Sequence, residues 1–290
     1  MSTATFTAKD VQELRQRTGA GMMDCKKALE ENQGNMEAAV DFLRKKGIAK
    51  ADKRVGKSTN EGVVRAEVAP DNSRGVLVEV NCETDFVARN SDFQAIAKQV
   101  ADQALATAGA TDAAGLLAST MNGQSVEEFV KETSAKMGEA VNVRRVARYD
   151  APNGVVGSYV HFNGKIGVLV EVDAEGKKDE ALVTLARTLA EHVAAAAPVG
   201  VDRDTVPADV VERERAIFVD QVRASGKPEA MIDKIVNGKV EAYYKDVALL
   251  HQAWIREPKT TIQQVVDQTG KQLGAKVTVK RFARFQLGQE

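Results

Sequence analysis

The strongest constraint on this fold is that much of the chain is written twice. Gly62-Val63-Val64 recurs as Gly154-Val155-Val156, and Gly75-Val76-Leu77-Val78-Glu79-Val80 recurs as Gly167-Val168-Leu169-Val170-Glu171-Val172, both 92 positions on. A constant offset means that the hairpin between the repeated segments has the same length in each copy. Turn chemistry sits at both joins, Pro70-Asp71-Asn72 in one and Asn163-Gly164 in the other. A helix follows each hairpin. Phe93, Ile96, Val100 and Ala104 form one apolar stripe, and Leu182, Leu185, Leu189 and Val193 the other, 89 positions later. Each copy closes with a strand, 141–149 and 277–285, at an offset of 136, so the second copy holds about 44 further residues between its hairpin and its last strand.

Those further residues have their own pattern. Residues 208–224 carry Val211, Ile217, Phe218 and Val222, and residues 229–247 carry Ile232, Ile235, Val236, Val240 and Tyr243, both at helical spacing. Ser225-Gly226-Lys227-Pro228 forms the turn between them. Two helices joined so tightly run antiparallel, which predicts a coiled-coil hairpin inserted at about 205–250. Ser125 with Glu128 is a capping box for a helix near 125–138.

Upstream of the duplication, three short helices are expected. Thr7 and Asp10 cap the first ahead of Val11 and Leu14, and Gly19 and Gly21 end it. The second carries Ala28 and Leu29. Met36, Ala39, Val40 and Leu43 mark the third, with Gly47 as its stop. So small a set of helices buries little surface and suits recognition rather than catalysis. The basic run 48–60 reads as a linker with a solvated charge run. Gly56-Lys57-Ser58 is no phosphate loop, because Ala51 stands where that motif needs glycine and a helix precedes it. The expected class is α+β, with a helical module at 1–55, a first core subdomain at 56–149 and a second at 150–290 that contains the hairpin. Both subdomains are built on small antiparallel sheets.

Composition narrows the function. The 290 residues suit about two domains and are 43% hydrophobic, enough for real cores. Forty basic residues against 41 acidic leave a net charge of -1, without the basic excess of a dedicated nucleic-acid binder. Cys25 and Cys82 stand apart with no CxxC or CxxH neighbour, so neither a metal site nor a disulfide is expected, and reduced thiols suit a cytoplasmic protein. Met1-Ser2-Thr3-Ala4 opens no apolar or arginine-rich leader, and no run reaches the ~18 apolar residues of a membrane span.

The copies diverge after their second strands. The first reads Val80-Asn81-Cys82-Glu83-Thr84-Asp85-Phe86-Val87-Ala88-Arg89-Asn90, ahead of a helix that Ser91 and Gln94 are expected to cap. The second reads Val172-Asp173-Ala174-Glu175-Gly176-Lys177-Lys178-Asp179-Glu180 and has no aromatic there. Pattern alone leaves Phe86 either plugging a local core or projecting as an anchor. Val80–Val87 resembles a signature of the elongation factor Ts family. So does Arg17-Thr18-Gly19-Ala20-Gly21-Met22-Met23-Asp24-Cys25-Lys26-Lys27-Ala28-Leu29, and the likeness extends over residues 5–287.

This resemblance implies a ubiquitin-associated-like (UBA-like) N-terminal module, two core subdomains and a coiled-coil hairpin in the second. It implies a guanine-nucleotide exchange factor that binds elongation factor Tu and releases its GDP, with no cofactor or metal of its own. Thr84, Asp85, Phe86 and Val87 match the segment that enters the partner's GTPase domain near its Mg²⁺. Arg15, Met22, Met23 and Lys26 match the module's contacts to a helix of that domain, and Met137 and His161 match core contacts. The second core subdomain is expected on the partner's third domain. Longer members carry a further C-terminal helical module, which this chain is expected to lack, since it ends soon after Phe285. Self-association through the hairpin is also open.

Three other readings compete. A nucleotide-dependent enzyme needs a phosphate loop or dinucleotide fingerprint, and none is found. None of His161, His192 and His251 has a triad-like setting, so without the resemblance His161 reads as a surface or structural residue. A ubiquitin-associated adaptor would ignore the duplicated core. An RNA binder would use Arg144, Arg145, Arg148, Lys280, Arg281 and Arg284, but stacking aromatics are not interleaved among them.

Overall fold

The computed structural model describes residues 6–52, 54 and 56–289. Three helices open it, α1 (Ala8–Thr18), α2 (Met22–Glu31) and α3 (Met36–Asp52). Thr7 and Asp10 form the expected capping box, and Gly19 closes α1 in the left-handed region at φ 68°. Leu14, Cys25, Ala28, Leu29 and Ala39 are buried together as the module's core. Gly47 does not stop α3, which runs on to Asp52. A Cβ at Gly47 would lie 2.9 Å from the Cβ of Ala135, so this glycine permits a close helix contact rather than a break. The first residues of the expected linker are therefore helical. In the rest of that run, Arg54 and Lys57 pair with Glu83 at 2.8 and 3.4 Å instead of standing free in solvent. Lys53 and Val55 of the run, and Met1–Ala4 of the expected leaderless start, lie outside the described residues.

The first copy of the repeat follows: β1 (Glu61–Val68), β2 (Arg74–Cys82), α4 (Asp85–Ala88), α5 (Ser91–Ala106), α6 (Ala113–Ala118), β3 (Thr120–Met121), β4 (Gln124–Ser125), α7 (Val126–Met137) and β5 (Asn142–Asp150). The second comprises β6 (Gly154–Val160), β7 (Ile166–Asp173), α8 (Glu180–Ala196), α9 (Ala208–Ala224), α10 (Glu229–Val247), β8 (Ala253–Trp254), β9 (Glu257–Thr261), α11 (Ile262–Leu273) and β10 (Thr278–Gln286). One sheet has the order β1-β2-β5 and the other β10-β7-β6, so the closing strand lies beside the second strand in both. In the second sheet β7 pairs antiparallel with β6 and with β10. The fold is α+β, with eleven α-helices among the described residues and small antiparallel sheets.

The duplicated glycine has a steric cause. A Cβ at Gly62 would come within 2.2 Å of the Val80 carbonyl oxygen, and one at Gly154 within 1.9 Å of that of Val172. Only glycine lets the neighbouring backbone approach so closely. The duplication also reaches further than the strands and first helices. Helix α7 begins with the Ser125/Glu128 capping box and ends on Gly138, and α11, 136 positions on, begins with Thr261/Gln264 and ends on Gly274. A short two-stranded ribbon precedes each.

Chain contacts divide the molecule into two compact units, and the division runs through β1, β2 and β5. The first is Met1–Arg65 with Val78–Val146 and Leu287–Glu290, and the second is Ala66–Leu77 with Ala147–Gln286. In the second, Leu182, Leu185, Leu189 and Val193 of α8 pack into the sheet as the stripe predicts. Helices α9 and α10 occupy the expected ranges and pack through Val222, Ile232, Val236 and Val240. Ile217, expected in that seam, is exposed, and Val219 packs there instead. The base of this insertion is stapled by backbone bonds. Val199 N–H donates to Val247 O at 2.8 Å, Leu249 N–H to Gly200 O at 2.9 Å and Leu250 N–H to Val201 O at 3.0 Å.

Candidate functional site

The segment after β2 turns on α4, a single helical turn too short to be stable alone. Thr84 is its N-cap, and its hydroxyl accepts the Val87 N–H at 3.4 Å. Tertiary bonds from the segment after α7 supply what the short helix lacks. Glu139 accepts the Thr84 N–H at 3.0 Å on one carboxylate oxygen and the Thr84 hydroxyl at 2.5 Å on the other. Glu83 reaches the opposite way and accepts the Ala140 N–H at 2.6 Å. That backbone donor, then the Arg54 and Lys57 cations, holds the Glu83 carboxyl below the usual carboxylate range against a raising effect of burial. Cys82 donates its thiol to Thr84 O at 3.2 Å, and burial pushes its pKa up to about 12. It is a structural thiol rather than a nucleophile.

Phe86 stands on this held turn with 84% of its surface exposed. Of the two roles left open, the local-core plug is excluded and the ring projects. Asp85 pairs with Arg89 at 3.0 Å, one turn along, and Val87 is half-buried. The next helix, α5, is capped by Asn90, whose side chain accepts the Asp92 N–H. Ser91, expected as the cap, is the helix's first residue, and Gln94 instead bonds the Ala88 carbonyl. Met137 ends α7, half-buried, two residues before Glu139. The structure thus ties Thr84–Val87 to the end of α7 that carries Met137.

The other predicted residues lie elsewhere. Arg15 is exposed on α1, and Met22, Met23 and Lys26 are exposed on the first two turns of α2, with Met23 74% accessible. Lys26 pairs loosely with Glu30 at 3.7 Å. Met23 and Lys26 edge a shallow depression of about 370 Å³ with Asp24, Lys27, Glu30 and Glu31. His161 belongs to the second unit, just past β6, where its Nδ1 meets the Tyr159 hydroxyl at 3.0 Å. Beside it, Phe162 is 91% exposed with its ring 4.5 Å from the imidazole. Phe162 was not among the predicted residues, although an aromatic directly before Asn163-Gly164 in a hairpin turn was the signal for it.

Most of the basic strand residues are internally engaged. Arg145 pairs with Glu79 at 2.7 Å and Arg281 with Glu171 at 2.6 Å, one ion pair per copy. Arg148 pairs with Asp150 at 3.0 Å, and Arg284 reaches Ala194 O and Gln286. Among the described residues, no cluster of three His, Cys, Asp or Glu stands where it could hold a metal ion. No described helix is long and apolar enough to cross a membrane.

Comparison with known proteins gives a consistent result. The family model described as "Elongation factor TS" matches residues 83–289. The chain is 46% identical to the elongation factor Ts of Trichlorobacter lovleyi, across 98% of this chain and 93% of that protein. It is 42% identical to that of Prosthecochloris aestuarii across 98% and 99%, and 45% identical to that of Sinorhizobium medicae across 98% and 94%.

Proposed function

This chain belongs to the elongation factor Ts family, and from that membership we propose that it is a guanine-nucleotide exchange factor of translation elongation. It binds elongation factor Tu carrying GDP, disturbs the Mg²⁺ and phosphate site there, and lets GDP leave so that GTP enters. It performs no covalent chemistry and acts in the cytoplasm, without direct contact to nucleic acid or membrane. Residues 1–55 serve as a UBA-like docking module, 56–149 and 150–290 as core subdomains, and the insertion at about 205–250 as a coiled-coil arm open to self-association. Arg15, Met22, Met23 and Lys26 dock the module, Met137 meets the partner from the first core subdomain and His161 from the second.

The observation that carries this reading is Phe86, a large ring 84% exposed on a turn held by its neighbours. An exposed phenylalanine gains about 1.5–3 kcal/mol when a partner buries it. Mg²⁺ tolerates little departure from octahedral oxygen geometry, so a ring that enters beside it spends that energy on the metal site. Coupling is reciprocal: a factor that weakens GDP binding is itself weakened by GDP to the same extent, and is released when nucleotide returns. Thr84, Asp85 and Val87 frame the ring.

The test is release of a fluorescent GDP analogue from elongation factor Tu. Phe86→Ala should slow release by roughly 10- to 100-fold, the equivalent of the lost burial, and weaken binding to nucleotide-free partner much less. Because the ring is solvent-exposed, thermal stability should hold. Unchanged release kinetics would remove Phe86 from the mechanism.

A further inference from the structure

We propose that Glu139 is a positioning residue for exchange, fixing the direction in which Phe86 leaves the surface. The inference rests on the reading of Phe86 given above. Its geometry is bidentate, with one carboxylate oxygen on the Thr84 N–H at 3.0 Å and the other on the Thr84 hydroxyl at 2.5 Å. The second bond uses the hydroxyl's only proton. The oxygen lone pairs then remain for the Val87 N–H, which is the cap of α4. One carboxylate therefore sets both the entry of the backbone into α4 and the orientation of its cap. Phe86 is the second residue of that single turn, so any rotation of the turn swings the ring.

The duplication supplies an internal control. At an offset of 92, Thr84 corresponds to Gly176 and Phe86 to Lys178, while at an offset of 136, Gly138 corresponds to Gly274 and Glu139 to Ala275. The helix ends are alike, since α7 and α11 close on left-handed glycines at φ 71° and 59°, whereas the link from the second strand to the following helix is three residues shorter in the second copy, as the offsets of 92 and 89 require, and has no counterpart of α4. Ring, cap and carboxylate are present together in the first copy and absent together from the second. There the Gly176 N–H donates to Asn153 O at 2.8 Å instead. Glu83 does not follow this pattern, because its counterpart Glu175 is also glutamate. Of the two reaching carboxylates, Glu139 is the one that accompanies the ring.

The experiment is a double-mutant cycle on the full chain, read by release of a fluorescent GDP analogue from elongation factor Tu and by affinity for nucleotide-free partner. Glu139→Ala, which copies the residue at 275, should slow release by roughly tenfold, as expected for loss of charge-assisted bonds to a buried-edge donor. Affinity should change far less. Glu139→Gln keeps an acceptor for the Thr84 N–H and should recover most of the rate. In a Phe86→Ala background Glu139→Ala should have almost no further effect, since its action passes through the ring. Equal slowing in both backgrounds overturns the proposal, as does unchanged release by Glu139→Ala where Phe86→Ala is slow. Normal release by Phe86→Ala sinks the wedge reading and the positioning role with it.

Discussion

The two copies place a related ion pair in different surroundings, which allows the effect of burial to be measured within one molecule. Glu79 is fully buried in β2, where it accepts from Arg145 at 2.7 Å, Asn81 at 3.1 Å and the Gly288 N–H at 3.2 Å. Its counterpart Glu171, 12% exposed, bonds Arg281 at 2.6 Å, but the Arg281 side chain is 51% exposed, with its guanidinium over the Tyr149 ring at 4.1 Å. Arg145→Met removes the cation and leaves a carboxylate out of water. Stranding one partner of a buried pair costs about 3–5 kcal/mol, and because two neutral donors remain on Glu79 the expected loss is about 2–3 kcal/mol. Arg281→Met removes a cation that stands half in water from a carboxylate that keeps only a little solvent access, and should cost less, about 1–2 kcal/mol. Replacing both partners, Glu79→Leu with Arg145→Met, should return most of the loss, because no charge is left to solvate. Urea titration followed by far-UV circular dichroism measures this, with midpoints compared at constant slope. The reasoning is refuted if Arg145→Met and Arg281→Met cost the same, or if the double variant is no more stable than Arg145→Met.

Two glycines inside helices should respond to alanine with opposite signs. Gly238 in α10 has open space where a Cβ would go, so Gly238→Ala should stabilise by about 0.5–1 kcal/mol. Gly47→Ala meets the Ala135 Cβ at 2.9 Å and should destabilise by about 1 kcal/mol, with recovery by Ala135→Gly; thermal melts decide, and a gain at Gly47 would contradict the close contact. His192 is buried, with Nε2 against the Gln252 amide oxygen at 2.9 Å and Nδ1 accepting the Ile255 N–H at 3.4 Å, and burial lowers its pKa from 6.5. The unfolded chain takes up this proton first as pH falls, so the stability is complete above 6.5 and is lost below it until the lower native value is passed. His192→Phe should flatten that part of the stability–pH curve, and an unaltered slope would exclude His192 as its source. Cys25 and Cys82 are both fully buried with raised pKa values, so a disulfide reagent should modify neither in the native protein and both in denaturant; rapid native labelling would contradict their packing.

The parts of the fold that the sequence made legible are those carried by local periodicity or by copying. The repeated strands, the α8 stripe, the Thr7 and Ser125 capping boxes and the ranges 208–224 and 229–247 all depend on residues close together in the chain. What escaped depends on distant partners. Gly47 looks like a helix stop until Ala135 is seen against it, 88 positions away. Asn90 and Ser91 are both good caps, and only the backbone path selects Asn90. Ile217 and Val219 are both apolar, and the crossing of α9 with α10 decides which is covered. At the candidate site the exposed ring had a visible signal in an aromatic found in one copy only. The Glu83 and Glu139 bonds did not, since each spans more than fifty residues, although Ala275 at the duplicate position was a clue. Helix α11 had a clue too, in the recurrence of a Ser/Thr-x-x-Glu/Gln box.

The backbone staple at residues 199–201 and 247–250 makes the long helical insertion topologically separable from the domain that carries it. Residues bridged in this way lie about 4.8 Å apart, so an arm cut above the staple could be rejoined by a few residues with Gly200 and Ala248 still bridged and Val201 and Val247 still in place. Additions or deletions in the arm alter its reach without passing strain to the sheet, and the neck is where evolution or an engineer can lengthen, trim or exchange this limb.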